Sequence, residues 1–186
     1  MMKHPPFEEA VRFHGHRCPG LAIGYRMTRA ALVALGVTRA GDEELVAVSE
    51  TDACGVDALQ WFAGCTFGKG NLIHRDVGKP VFTVFCRATG HGVRVLYHGN
   101  AAPADVHADR DEYIRWILNA KDDDVVTIGP AQVSIPQPAR IHRTVHCEQC
   151  GEPVMETRLR PVGNRRLCIP CAELENANRN GAYRRV

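Results

Sequence analysis

Four of the eight cysteines in this 186-residue chain form two Cys-x-x-Cys pairs near its end, Cys147-x2-Cys150-x17-Cys168-x2-Cys171. Each pair makes a tight turn that aims two thiolates at one ion. Two such turns close a tetrahedron with no open position, which is the arrangement of a structural zinc site. Gly151 after the first pair and Pro170 inside the second suit those turns. A segment of about 40 residues buries too little surface to fold by itself, so the metal is expected to supply much of its folding energy.

The other four cysteines, Cys18, Cys54, Cys65 and Cys86, are spread through the first half. His14, His16 and Cys18 fall within five residues, and Cys18 stands directly before Pro19 at the start of a long apolar segment. A thiol at a helix N-terminus feels the positive end of the helix dipole, which favours thiolate. Cys54 stands in a similar place before Gly55, and Cys65 opens a glycine-rich loop. Imidazoles and thiolates together suit zinc, iron, nickel or copper. The expectation is a core pocket in which His16 and Cys18 meet Cys54 and Cys65, with His14, Asp57 and Lys69 at or beside it. Asp57 would orient an imidazole or accept a proton, and Lys69 would hold an anionic group of a ligand. For Cys54 and Cys65 the alternative of a small, inert, buried thiol stays open. That alternative is preferred for Cys86, inside the apolar run Val81–Cys86. His74, His91, His98, His107, His142 and His146 form no pattern with a chemical reading.

The loop Gly64-Cys65-Thr66-Phe67-Gly68-Lys69-Gly70 superficially suggests a phosphate loop. Its glycines are one residue too close, and Gly70 occupies the place of the required Ser or Thr, so it is not a Walker A sequence.

These residues need elements to carry them. A short helix is expected over Phe7–Phe13. A second should run from Pro19 to Leu35, with proline in its first turn and Gly36 at its stop. That helix is apolar on most of its circumference, which calls for burial on most faces and makes a second copy of the chain its natural cover. Strands are expected at Glu44–Ser49, Val81–Cys86 and Val93–Tyr97, the last two joined by Gly90-His91-Gly92. A helix should begin near Cys54-Gly55 and another should span Asp109–Lys121. Val125–Ile128 and Gln132–Ile135 add two more strands. Helices and strands mix without clean βαβ alternation, so the fold class is α+β. Residues 1–140 carry 15 Lys and Arg against 16 Asp and Glu, whereas residues 141–186 carry 8 Arg against 5 Glu. With Pro136-Gln137-Pro138 as a stiff linker, this divides the chain into a core domain, 1–138, and a zinc-finger domain with a basic tail, 139–186.

The bulk numbers set outer limits. Apolar content of 45% and a net charge of +2 describe an ordinary globular protein with no electrostatic demand for a nucleic-acid or membrane partner. No charged start leads into an apolar run, and no apolar run is long enough to span a bilayer. A cytoplasmic location is therefore expected, where cysteines serve as ligands or reactive thiols rather than disulfides.

Two resemblances carry the reading further. Phe13-His14-Gly15-His16-Arg17-Cys18-Pro19-Gly20-Leu21 resembles the opening signature of the FmdE family, which takes its name from formylmethanofuran dehydrogenase. Glu50-Thr51-Asp52-Ala53-Cys54-Gly55-Val56-Asp57 and Gly64-Cys65-Thr66-Phe67-Gly68-Lys69-Gly70-Asn71-Leu72 are similar to its second and third motifs. The resemblance implies an α+β core, often an intertwined homodimer, whose motif residues map to His14, His16, Cys18, Cys54, Asp57, Cys65 and Lys69. It also implies association with a molybdenum or tungsten enzyme that reduces carbon dioxide onto methanofuran. Cys147-Glu148-Gln149-Cys150-Gly151 through Leu167-Cys168-Ile169-Pro170-Cys171 resembles the four-cysteine zinc finger of the DksA/TraR family without its long coiled coil.

The expectation is therefore a metal-binding homodimer that acts as an accessory component of a redox complex, with no complete catalytic motif of its own. A rival reading is a regulatory or scaffolding dimer whose finger contacts protein or nucleic acid. Arg143, Arg158, Arg160, Arg165, Arg166, Arg179, Arg184 and Arg185 supply the basic character that nucleic acid would need, although few aromatic residues accompany them for base stacking. A third reading, a hydrolase using Asp57 and a core metal, has no complete motif behind it.

Overall fold

The structure, a computed structural model, describes residues 5–179. The chain forms two compact units, Met1–Ala139 and Arg140–Val186. In the first, α1 (Phe7–His14), α2 (Pro19–Leu35), α3 (Gly55–Ala63) and α4 (Arg110–Asn119) accompany a five-stranded sheet. Its strands are β1 (Leu45–Ser49), β2 (Leu72–His74), β3 (Val81–Cys86), β4 (Gly92–Tyr97) and β5 (Val126–Pro130), in the order β2-β1-β3-β4-β5. A short α5 (Asp122–Val125) leads into β5. The β1–β2 pair is parallel and every other pair antiparallel. The core is therefore α+β, with one βαβ crossover, β1–α3–β2, at the edge of the sheet.

Alternation along the strands sorts the sheet's two faces. Leu45, Ala47, Phe82, Val84 and Val95 join the helix-side core. Val46, Val48 and Phe85 form a second cluster with Ile73, Ala131, Val133 and Ile135. The segment 132–135, expected as a strand, is instead an irregular strap over that second face. Its apolar alternation reflects one-sided burial against the sheet and not pairing in a ladder. Arg87 fastens it by donating to the Pro136 carbonyl at 2.7 Å.

The central helix α2 buries Leu21, Ala22, Tyr25, Met27, Ala30, Ala31 and Leu32 within its own chain. Fully buried leucine and methionine side chains are each worth about 1.5–3 kcal/mol, so this helix is the main apolar contribution to the core. Helices α1, α3 and α4 and the sheet cover most of it, while Val33 near its end stays exposed. Of its two arginines, Arg26 is only 1% exposed. The guanidinium donates to the carbonyls of Ile117 and Ala120, at the C-terminal end of α4, and to Asp122 Oδ1 at 2.6 Å. It satisfies carbonyls that the end of α4 leaves without helical partners and ties α4 and α5 to α2.

The second unit holds two small antiparallel pairs, β6 (Thr144–His146) with β7 (Pro153–Met155) and β8 (Leu159–Val162) with β9 (Arg165–Cys168), followed by α6 (Ile169–Arg179). Its core is slight: Cys147, Val162, Leu167, Cys168, Cys171 and Ala172, with Val154 against them. Among the described residues, no helix is long and apolar enough to cross a membrane.

Candidate metal centres

In the core unit, α1 ends at His14, and Gly15 caps it with φ +92°, a left-handed conformation that suits glycine. The chain reverses there, so the rings of His14 and His16 lie 4.4 Å apart. Cys18 follows in extended conformation as the N-cap of α2, and its Sγ accepts from the Leu21 amide at 3.3 Å. The helix-start position read from Pro19 is thus realised, and the sulfur takes a capping hydrogen bond that the dipole end offers.

Cys54 reaches the same point from α3. The two helices cross almost backbone to backbone: a Cβ on Gly24 would lie 2.2 Å from the Gly55 carbonyl oxygen, and one on Gly20 would lie 3.2 Å from the Cys54 Cβ. Only glycines permit this approach. It presses the start of α3 against the start of α2 and brings Cys54 beside Cys18. His14, His16, Cys18 and Cys54 each then offer a donor atom within 4.8 Å of all the others. Cys18 Sγ lies 3.8 Å from His14 Nε2, while His14 Nδ1 meets Asp57 Oδ2 at 2.7 Å. Gln60 donates to the other Asp57 oxygen at 3.2 Å. Asp57 thereby fixes the imidazole so that Nε2 faces the sulfurs, the arrangement by which a carboxylate orients a metal-binding histidine. Burial and the neighbouring Cys18 push the Cys54 thiol up, contrary to the thiolate bias expected for it; Cys54 is helical in backbone and makes no capping hydrogen bond. A cation between the two sulfurs would offset the burial and the neighbouring charge that hinder ionisation of Cys54. The donor set, two imidazoles and two thiols, fits zinc.

Cys65 and Lys69 do not join this group. Cys65 follows Gly64, the C-terminal cap of α3, whereas Cys54 stands at the helix's other end. Nine helical residues separate those ends, which at 1.5 Å per residue is about 13 Å. Cys65 is completely buried, and burial pushes its thiol up to about 12 despite nearby Lys69, Arg87 and Arg39. It is an inert core thiol. Lys69 donates to the Asp42 carbonyl at 2.8 Å and holds the loop. Cys86 is buried as expected.

A cavity of about 500 Å³ opens beside the four donors, lined by His14, Cys54 and Asp57 on one side and by Ser49, Thr51, Asp52, Phe67 and His74 on the other. His74 carried no sequence signal. It belongs to the cavity because Ser49 and His74 are register partners across the parallel β1–β2 pair.

In the second unit Cys147 and Cys150 flank the turn after β6, Cys168 ends β9, and Cys171 lies in the first turn of α6. All four sulfurs lie within 4.8 Å of one another, with Cys150 and Cys168 at 3.9 Å. Four thiolates about 2.3 Å from a tetrahedral zinc stand about 3.8 Å apart, so the cluster fits that ion. Cys147 is aimed by backbone: the Cys168 and Gln149 amides approach its sulfur at 3.3 and 3.5 Å. Backbone hydrogen bonds from Cys150 and Cys168 draw its thiol down to about 6, while the contact with Cys168, then burial, pushes Cys171 up to about 12. Around the cluster Arg143, Arg165 and Arg166 pair with Glu156, Glu175 and Glu148, so part of the basic character is neutralised locally. Arg184 and Arg185 lie outside the described residues.

Comparison with known proteins agrees with this division. Residues 141–176 match the prokaryotic DksA/TraR C4-type zinc finger. The whole chain superposes on the crystal structure of a tungsten formylmethanofuran dehydrogenase FmdE-like protein from Syntrophus aciditrophicus, with a TM-score of 0.67, 24% identity and full coverage of both chains. A probable S-adenosyl-L-methionine-binding protein of Archaeoglobus fulgidus is 29% identical over 88% of this chain, and the chain spans about half, 51%, of that relative's length. Residues 13–127 match the family described as FmdE, molybdenum formylmethanofuran dehydrogenase operon; that stretch is most of the core unit and more than half of the chain, and the chain belongs to the FmdE family.

Proposed function

We propose that this FmdE-family chain is a two-metal protein, with a structural zinc in the finger and a second zinc-like ion held by His14, His16, Cys18 and Cys54, and that it serves as an accessory component of a formylmethanofuran-dehydrogenase-type or other redox complex. The observation that carries the metal reading is the convergence of those four donors within 4.8 Å, with Asp57 fixing His14 from behind at 2.7 Å. A core histidine that was merely satisfied would not need a carboxylate aligning its second nitrogen on two sulfurs. Metal analysis of the purified full chain tests it. Two ions per chain are expected, falling to one in Cys18→Ser/Cys54→Ser and to one in Cys147→Ser/Cys150→Ser. A single ion in the wild type, untouched by the core pair of substitutions, sinks the core site. The accessory role is tested by co-elution with a tungsten or molybdenum formylmethanofuran dehydrogenase.

A second reading concerns the cavity beside the donors. Its volume is within the roughly 300–1,000 Å³ range of small-molecule sites. Phe67, 65% exposed at its rim, offers a ring face for a base, and Asp52 offers a carboxylate for a cationic centre. A nucleoside sulfonium such as S-adenosyl-L-methionine, the ligand in the name of the longer relative, has those two features. Saturable binding lost in Phe67→Ala supports it, and absence of binding to the full chain removes it.

A further inference from the structure

The sheet's second face, away from the helices and the four donors, carries a separate cavity of about 250 Å³ lined by Glu50, Arg75, Val77, Lys79, Thr83, Arg94, Gln132 and Val133. We infer that this cavity is a binding site for hydrogen phosphate, with Arg75, Lys79 and Arg94 as its cations, Thr83 as its hydroxyl and Glu50 as the acceptor for the anion's proton.

The strands place these groups by alternation. Val48, Thr83 and Arg94 are successive register partners across β1, β3 and β4, so Thr83 and Arg94 stand side by side on one face. Glu50 follows β1 on the same face. The loop after β2 is tied to the end of β1 by backbone, with the Arg75 amide donating to the Ser49 carbonyl at 2.8 Å and the Lys79 amide to the Glu50 carbonyl at 2.9 Å. Those two bonds hold Arg75 and Lys79 at the mouth. The same end of the β1–β2 pair thus turns Ser49 and His74 to the first cavity and Glu50 and Arg75 to the second.

Three observations point to an anion. First, three cations face one carboxylate, and the contact between Arg94 Nη2 and Glu50 Oε1 is long, at 3.5 Å. Asp76, on the same loop, is not part of the lining. Second, among the described residues the side chains of Arg75 and Lys79 have no hydrogen bond or ion pair, which leaves both cations free to meet an anion. Third, the Thr83 side chain makes no hydrogen bond among the described residues, and its hydroxyl lies in the cavity lining where an occupant can meet it.

The volume of about 250 Å³ is below the roughly 300 Å³ at which drug-sized sites begin, which suits a small ligand. Guanidinium forks match tetrahedral oxyanions, and the net lining charge of two matches a dianion. Glu50 makes the choice among dianions. Hydrogen phosphate carries one O–H that can donate to a carboxylate. Sulfate and a doubly ionised phosphate monoester carry none and meet Glu50 as a repulsive neighbour.

The test is calorimetric titration of the full chain with inorganic phosphate, sulfate or methyl phosphate near pH 7.5, with chloride fixing the ionic strength. Phosphate is expected to bind one to one and at least about tenfold tighter than sulfate or methyl phosphate. Arg75→Gln and Lys79→Gln, both at exposed positions, and Arg94→Gln should each weaken phosphate by about tenfold. Glu50→Gln should abolish the preference for phosphate over sulfate while leaving metal content unchanged. Equal binding of phosphate and sulfate by the wild type, no saturable heat at millimolar phosphate, or indifference to Arg75→Gln and Lys79→Gln would overturn the assignment. None of these readouts depends on the core metal, so failure here leaves the proposed function standing.

Discussion

The two four-donor groups are built in opposite ways. In the finger, all four ligands are thiols delivered by neighbouring turns, and the unit around them has a slight apolar core. In the core, the donors arrive from two separate stretches, His14–Cys18 and Cys54, that meet because α2 and α3 touch through glycine. The finger needs its ion to have a shape. The core has its shape already and presents a site to an ion. A metal centre can therefore be the cause of a fold or its product, and this chain holds one candidate of each kind.

The sharpest break is removal of metal. Zinc binding by a structural site is worth about 10–16 kcal/mol to a small finger, more than the finger's slight core can replace. Exhaustive chelation, or Cys168→Ser, should abolish amide protection from Thr144 through α6. Protection in β1, β3 and α2 should persist. Loss of protection in both units together would refute the contrast.

Next in size is Gly24→Ala. The added methyl meets backbone, not a flexible side chain, at 2.2 Å, so the helices must separate. Overpacking of this kind costs about 1–3 kcal/mol and should also pull Cys54 from Cys18. The denaturation midpoint of the core and its metal content should fall together, with the finger's ion retained. A midpoint shift with full core occupancy would show that the crossing does not set the site.

Asp57→Asn probes the orientation of His14 alone. Loss of a carboxylate behind a metal-bound histidine typically costs about 10–100-fold in affinity. The change should appear in competition with a chromogenic chelator and not in thermal stability. Gln60→Ala, which removes only the support at 3.2 Å, should have a smaller effect in the same direction.

The smallest effect tests why the core stands without its metal. Burial raises the Asp122 carboxyl, but hydrogen bonds from Arg26 and Arg29 outweigh it and hold the group below its ordinary value. A depressed carboxyl stabilises the fold above its unfolded value, about pH 4, and the contribution disappears as pH falls through the lower folded value. Asp122→Asn should cost about 1 kcal/mol at pH 7, since the carboxylate is half exposed. It should also flatten the acid limb of stability against pH. An unchanged acid limb would show that the clamp is carried by the carbonyl contacts alone.

What was legible in the sequence follows the same division. The finger's ligands were readable because their geometry is local: spacing along the chain fixes spacing in space. The core group was partly readable, since His14, His16 and Cys18 are local and Cys54 announces itself at a helix start. Cys65 and Lys69 were drawn in by their glycine-rich loop and the family motif it resembles, but they lie beyond the far end of α3, where the helix sets them apart from Cys54. His74 was invisible because strand register put it there. The crossing that assembles the site was overlooked because Gly24 and Gly55 contribute no chemistry of their own. The apolar strap at 132–135 imitated a strand because burial on one side gives the same alternation as a ladder.

The glycine crossing also bears on how such a chain can change over generations. At the donors, the cavity wall and the oxyanion pocket, each position has a side chain that can be exchanged for another with a graded result. At Gly24 the smallest step available, one methyl group, already collides with the Gly55 main chain at 2.2 Å, and at Gly55 it presses on the Gly24 main chain at 3.0 Å, and no change at one position makes room for a change at the other. A lineage can therefore retune which ion or ligand is held while inheriting the angle at which the two helices meet. The chemistry is free to drift around a hinge-point that has no neighbouring sequences to drift into.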